Sequence, residues 1–96
     1  MSKTKWINVN GNLINIIRKI GNWDIGFIKY SGNPTIFMMV RGLEYGENPI
    51  IYPHNHQVAY DRPERIPDSV KKYLHENAVR IYEMKLKIQS EIHLVV

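Results

Sequence analysis

Two histidines, His54 and His56, stand two positions apart in the stretch IIYPHNHQVAY and form the pair best suited to metal chemistry. In an extended segment, residues i and i+2 point to the same side, so both imidazoles can reach one ion. A zinc site needs a third ligand, and a catalytic one also keeps an open position. One hypothesis is therefore a small zinc-dependent enzyme. We favour the alternative, a polar loop without a cofactor whose histidines hydrogen-bond to backbone or water.

Other catalytic arrangements find little support in the sequence. The chain has no cysteine, which excludes disulfides, thiolate metal ligands and a cysteine nucleophile. None of the serines lies in a strained nucleophile elbow. The two glycines of RGLEYGENP are not followed by the Gly-Lys-Ser/Thr of a phosphate-binding loop. Nothing in the spacing of Glu44, Glu47 and Asp61 indicates a carboxylate pair. The sequence therefore favours a protein that is not an enzyme.

The middle of the chain carries the first function hypothesis. Residues 42–66 are rich in glycine and proline, so we expect loops there, and loops positioned by a rigid scaffold often carry function. Tyrosine and arginine are favoured at protein interfaces. We therefore predict a small binding or regulatory protein acting through protein–protein contacts, of a size that suits an inhibitor encoded by a phage or mobile element. The predicted partner-binding residues are Tyr45, Tyr52, Tyr60, Arg62 and Arg65.

A basic N-terminal half supports a second hypothesis, nucleic-acid binding. Residues 1–42 carry six cations against one acid, whereas residues 43–64 carry one cation against four acids. Aromatic side chains on an open sheet face stack bases while neighbouring cations meet phosphates. The alternative is that these aromatic residues form the core beneath a helix. The cations assigned to this hypothesis are Arg18, Lys19, Lys29 and Arg41.

The order of elements predicts one α+β domain, an antiparallel sheet of four to six strands packed by one long C-terminal helix. Ninety-six residues suffice for a single domain. Asn10-Gly11 is a strong hairpin signal, and Gly21-Asn22 and Ser31-Gly32-Asn33-Pro34 mark further turns. Short edge strands are expected at IIY and QVAY. The predicted segments are a β-meander at 1–41, an irregular segment at 42–66, a helix at 67–90 and a tail at 91–96.

The last third of the chain has the periodicity of a helix. One face packs on the sheet, and Asn77 on that face suits either the register of a helix pair or a hydrogen-bonded buried amide. After Tyr82 an alternation of period two also suits a strand, and we favour helix to about Ser90. The main face comprises Val70, Leu74, Asn77, Ile81, Met84 and Ile88. A stripe of alternating charge, interpreted as solvated surface, comprises Lys72, Glu76, Arg80, Glu83 and Lys87.

A second, partly apolar stripe on the same helix predicts a homodimer, because a helix with two apolar stripes usually has two neighbours. Its residues are His75, Val79, Tyr82 and Leu86. The alternative is that the sheet curls and covers both stripes.

Two features of the sequence indicate a cytoplasmic protein, or a host-cytoplasmic one if the chain is viral. The first residues lack the apolar core of a signal peptide. No apolar run approaches the roughly 18 residues needed to cross a bilayer. We therefore expect no membrane partner.

Overall fold

Five strands form one antiparallel sheet in which each strand pairs with the next along the chain. The structure is a computed structural model that describes residues 5–30 and 33–94. The predicted α+β class and the N-terminal meander are confirmed. The predicted turn at Ser31 and Gly32 lies outside the described residues. The strands are β1 (Ile7–Val9), β2 (Asn12–Ile20), β3 (Trp23–Tyr30), β4 (Asn33–Val40) and β5 (Leu43–Glu44).

Two turns of the meander have the same left-handed backbone. Asn10 and Gly11, between β1 and β2, have φ angles of 52° and 87°. Arg41 and Gly42, between β4 and β5, have φ angles of 52° and 80°. Asparagine and glycine are the residues that tolerate these positions, so the first turn is readable from the sequence. Arginine at the first position of a turn is not a hairpin signal, so the sequence does not predict β5.

A bulge in β2 bends the sheet. The pairing of β2 with β3 shifts its register between Ile16 and Arg18. Opposite this point, a Cβ added to Gly26 would lie 2.0 Å from the Asn15 carbonyl oxygen, so only glycine permits the approach of the two backbones. Bulges increase local twist, and the sheet curls accordingly.

Each face of the curled sheet carries its own apolar cluster. Ile25 and Phe27 of β3 face the helices, whereas Ile28 faces the other way. The same alternation in β4 explains why IFMMV is apolar at every position. The helix-facing cluster contains Ile25, Phe27, Ile36, Met38, Ile51, Ile66, Val70, Leu74, Ala78, Ile81 and Ile88. The opposite cluster contains Ile14, Ile28, Phe37 and Met39, all from the sheet itself.

The C-terminal third is helical, with one interruption. A 3-10 turn at Pro63–Arg65 leads into α1 (Asp68–Glu76), and α2 (Ala78–Leu94) follows. The predicted single helix is therefore divided at Asn77, whose side-chain Nδ2 and backbone N–H both donate to the Tyr73 carbonyl, at 2.9 Å and 3.0 Å. Of the two roles considered for Asn77, the hydrogen-bonded amide is observed.

The helix also ends later than predicted. Helix α2 continues through Leu94 rather than ending near Ser90, because no glycine or proline interrupts it. The predicted extended tail at 91–96 is therefore wrong for its first four residues, and its last two lie outside the described part of the chain. Neither described helix combines the length and the apolar composition needed to cross a bilayer.

A separate hairpin lies in the middle of the chain. Strand β6 (Ile50–Ile51) pairs with β7 (Val58–Ala59). The two strands pair with each other as a two-stranded sheet, not with an edge of the main sheet as predicted. Ile51 contributes to the helix-facing cluster, and Val58 packs against it. The hairpin is therefore anchored to the core by its apolar residues while its turn, residues 52–57, projects from it.

Candidate functional site

A buried carboxylate organises the irregular 42–66 segment. Glu47 is only 8 % exposed, and its Oε1 accepts hydrogen bonds from the backbone N–H groups of Asp61 (2.7 Å) and Arg62 (3.1 Å). Two N–H donors offset much of the cost of burying a carboxylate. The same contact joins two stretches of chain that are 14 and 15 residues apart. Glu47 therefore fixes where the turn before the 3-10 helix lies.

The neighbouring residue Asn48 strengthens this attachment. Its Nδ2 donates a 2.7 Å hydrogen bond to the carbonyl of Ile36 in β4. Tyr45 is held on the same side, since its backbone N–H donates to the Met38 carbonyl at 3.0 Å. Residues 45–48 are thus tied to β4 by a short series of specific hydrogen bonds.

Tyr45 places an aromatic ring and a buried hydroxyl beside this carboxylate. Its ring packs at a tilt on that of Trp23, with centroids 4.9 Å apart. Its hydroxyl oxygen is buried, and no hydrogen-bond partner for it lies among the described residues. An unsatisfied buried hydroxyl costs roughly 1–3 kcal/mol. Unsatisfied polar groups of this kind are uncommon in folded proteins and call for an explanation.

The ionisation of two tyrosines reflects the same environment. Burial raises the pKa of the Tyr45 hydroxyl above its ordinary value, and the nearby Glu47 carboxylate raises that pKa further, partly offset by Arg65 and Arg62. Burial and then Glu47 also raise the pKa of Tyr60. Both hydroxyls therefore remain protonated across the physiological range, as hydrogen-bond donors rather than phenolates.

These residues border a cavity of about 350 Å³ that we call the Tyr45 cavity. Glu47 is buried at this cavity, whereas Arg62 and Arg65 are exposed. The volume falls in the range of small-ligand sites. Its lining residues are Tyr45, Gly46, Glu47, Asp61, Arg62 and Arg65.

The Tyr45 cavity carries two guanidinium groups, which can recognise an oxyanion, beside the carboxylates of Glu47 and Asp61. Guanidinium groups bind carboxylate and phosphate through paired N–H donors. The Glu47 carboxylate opposes an incoming anion less than a free carboxylate would, because backbone N–H groups already engage it. Exposed arginines beside a buried, hydrogen-bonded carboxylate suit contact with an acidic side chain.

The structure brings together three of the five residues predicted to bind a partner. Tyr45, Arg62 and Arg65 border the cavity. Tyr60 is half-buried and packs against the helix-facing cluster. Tyr52 is exposed on the β6–β7 hairpin, where its ring lies 6.2 Å from that of His54. No sequence pattern indicates that Glu47 holds the site together, since a contact across 14 residues leaves no local signal.

The two histidines diverge in the structure. Residues 53–55 form a turn and His56 has a left-handed φ of 56°, so the segment is not extended. The His54 ring faces Tyr52, whereas the His56 ring meets Tyr82 edge-on at 5.5 Å. Within residues 5–30 and 33–94, no three His, Asp or Glu side chains are grouped to hold a metal ion. The zinc hypothesis stays a prediction without a supporting geometry.

The cations of the nucleic-acid hypothesis do not share one surface. Arg18 lies against the helices, with its guanidinium carbon 5.6 Å from the centre of the Tyr73 ring. Lys19 is 4.0 Å from Asp24. Lys29 lies opposite Pro34 of β4 in the strand register, near the C-terminal end of β3. Arg41 lies in the turn after β4. Phe27 is buried beneath the helices, as the alternative interpretation proposes, whereas Phe37 is buried in the cluster on the opposite face of the sheet.

The predicted dimer stripe is only partly available. Val79 and Leu86 are 51 % and 48 % exposed, and His75 is exposed as well. Tyr82 is half-buried, packs against the helix-facing cluster and contacts His56. The stripe therefore offers two apolar side chains to a second copy of the chain.

Comparison with models of known protein families, with curated proteins and with solved structures gives no match for this chain.

Proposed function

We propose that this chain is a small, non-enzymatic binding protein that recognises an acidic segment of a protein partner through the Tyr45 cavity. The observation that carries the proposal is the position of Arg62 and Arg65, which are exposed and border one cavity whose wall the buried Glu47 holds in place. Arginine and tyrosine are the residues that dominate binding energy at interfaces.

The wider role belongs to the same proposal. A chain of this size and composition suits a regulator or inhibitor of a larger protein in the cytoplasm, encoded by a phage or mobile element. Self-association through His75, Val79, Tyr82 and Leu86 would present two such cavities in one particle. Its support is the exposure of Val79 and Leu86.

A selection from a displayed library of random peptides tests the proposal directly. The bait is the wild-type protein, and the counter-bait carries Arg62→Glu and Arg65→Glu. Because reversal of both charges turns attraction into repulsion, peptides that bind only the wild type should be enriched in Asp and Glu. A matched control bait carries Lys72→Glu and Lys87→Glu, two exposed positions on the helices outside the cavity. Enrichment without acidic residues, or equal loss with the control bait, would contradict the proposal.

A further inference from the structure

A second polar depression, distinct from the Tyr45 cavity, lies where β2 meets the helices. It has a volume of about 410 Å³ and is bordered by residues from β2, α1 and α2. We call it the Arg18 groove. Its charged residues are the cations Arg18, Lys72 and Arg80 and the single acid Glu76. All four of these side chains are exposed.

The sequence alone points away from this site. On the helix, Lys72, Glu76 and Arg80 alternate in sign and suit a solvated surface whose charges neutralise one another. The fold adds Arg18 from β2 to the same groove, so that three cations face one acid. The helix residues alone give one excess cation, and Arg18, which is distant in sequence, adds a second that no linear motif indicates.

Arg18 lies over an aromatic ring in this groove. Its guanidinium carbon lies 5.6 Å from the centre of the Tyr73 ring, within the distance of a cation–π contact. Tyr73 is positioned in turn by α1, and its carbonyl accepts the Asn77 amide. Nucleic-acid bases stack on arginine planes as well as on aromatic rings. An oriented guanidinium on an aromatic ring is therefore a suitable platform for a base.

The remaining cations extend the site along the helices. Lys72 lies in α1 and Arg80 in α2, on either side of the break at Asn77. Cations spaced along a groove in this way suit a chain of phosphates. The groove is shallow and open, which suits an unpaired strand whose bases are free to stack.

We propose that the Arg18 groove binds single-stranded nucleic acid, with a base stacked on the Arg18 guanidinium and the phosphates meeting Lys72 and Arg80. This inference does not rest on the function proposed for the Tyr45 cavity. The proposed site is a groove between the sheet and the helices, not the open sheet face considered from the sequence. Of the four cations named in that earlier hypothesis, Arg18 is the one that borders this groove.

Fluorescence anisotropy with a labelled oligothymidylate tests the site. Two phosphate contacts to a single strand, at Lys72 and Arg80, give a salt slope of about −1.4, so affinity should fall roughly sevenfold between about 50 mM and 200 mM salt. Arg18→Ala should weaken binding about tenfold or more, since loss of one stacked base has an effect of that size. The matched control is Lys85→Ala, a helix α2 cation outside the groove.

A second variant separates stacking from charge. Arg18→Lys keeps the positive charge but removes the planar group, so it should weaken binding while leaving the salt slope unchanged. Lys72→Ala and Arg80→Ala should each reduce the slope by about 0.7. Circular dichroism of each variant checks that the fold is retained.

Several outcomes would overturn the inference. These are no binding of the oligothymidylate by the wild-type protein, equal weakening of binding by Lys85→Ala and Arg18→Ala, or wild-type affinity in Arg18→Lys. Tighter binding to duplex DNA would also overturn it, and so would tighter binding to vesicles of phosphatidylserine and phosphatidylcholine, since neither offers an unpaired base.

Discussion

The meander and the 42–66 segment are stabilised in different ways. In the meander, each strand hydrogen-bonds to its neighbour in the chain, and residues on both faces are buried. The 42–66 segment has only a two-residue ladder of its own and depends on Glu47 and Asn48, whose side chains bond to distant backbone groups. The meander is thus a scaffold with many redundant contacts, whereas the candidate site depends on few. Substitutions in the two regions should therefore have separable effects.

The largest expected effect lies in the meander. Gly26→Ala places a Cβ against the Asn15 carbonyl oxygen, and the obstacle is backbone that cannot move without breaking the β2–β3 pairing. We expect a loss of about 3 kcal/mol or more in the free energy of unfolding, measured by urea denaturation.

The control for this substitution is Gly11→Ala. Gly11 has a positive φ but nothing within 4 Å of an added Cβ, so it should lose only about 1 kcal/mol. Equal losses at the two glycines would show that the close approach of β2 and β3 is not what makes Gly26 necessary.

A smaller and more local effect is expected in the 42–66 segment. Glu47→Ala leaves the N–H groups of Asp61 and Arg62 without their acceptor, at a cost of about 2–3 kcal/mol. Hydrogen exchange at these two amides should become faster through local opening. The amides of β3 should still exchange only through global unfolding. Glu44→Ala, at an exposed acid of β5, should change stability by less than about 0.5 kcal/mol. Unchanged exchange at Asp61 and Arg62 would mean that Glu47 does not hold the turn.

The Tyr45 hydroxyl gives a prediction of opposite sign. Since this buried oxygen has no partner among the described residues, Tyr45→Phe should raise the free energy of unfolding, by about 1 kcal/mol. Tyr52→Phe, which removes an exposed hydroxyl, should leave it unchanged. Thermal melts of the two variants measure this difference. Destabilisation by Tyr45→Phe would reveal a hydrogen bond that the hydroxyl makes in solution.

The smallest effect is a dependence on alkaline pH. Because the folded-state pKa values of Tyr45 and Tyr60 are raised above the ordinary 10.0, both hydroxyls hold their protons when the unfolded chain has begun to release them. Their contribution to stability is complete below pH 10.0 and is lost as the pH rises through the raised values. The near-ultraviolet absorbance of phenolate should show late titration, part of which disappears in Tyr45→Phe. A late titration that is unchanged in Tyr45→Phe would refute the assigned environment.

The sequence predicts the meander well because its signals are local. Alternating apolar residues and the Asn10-Gly11 pair specify neighbouring strands and their turns. The doubly apolar β4 likewise indicates a strand buried on both sides. Less readable was the break of the helix at Asn77, because the same residue type suits a buried amide in an unbroken helix. The outcome depends on where its side chain finds an acceptor.

The sequence identifies only part of the candidate site, because some of its contacts join residues that are far apart in the chain. Residue type alone nominates Tyr45, Arg62 and Arg65, which the fold brings to one cavity. Glu47 could not be identified, because its partners are backbone groups 14 and 15 residues away that any sequence would supply. The prediction for His54 and His56 assumed an extended backbone, and the left-handed φ at His56 removes that assumption.

The most direct test of the central claim is an NMR titration of the isotope-labelled protein with a short peptide carrying a central Asp-Glu pair. The account predicts amide shifts at Gly46, Asp61, Arg62 and Arg65 that saturate with this peptide. They should be absent with the Asn-Gln version of the peptide and in the Arg62→Glu, Arg65→Glu protein. Shifts that are identical for the two peptides, or that map away from these four residues, would contradict the assignment of the Tyr45 cavity as the binding site.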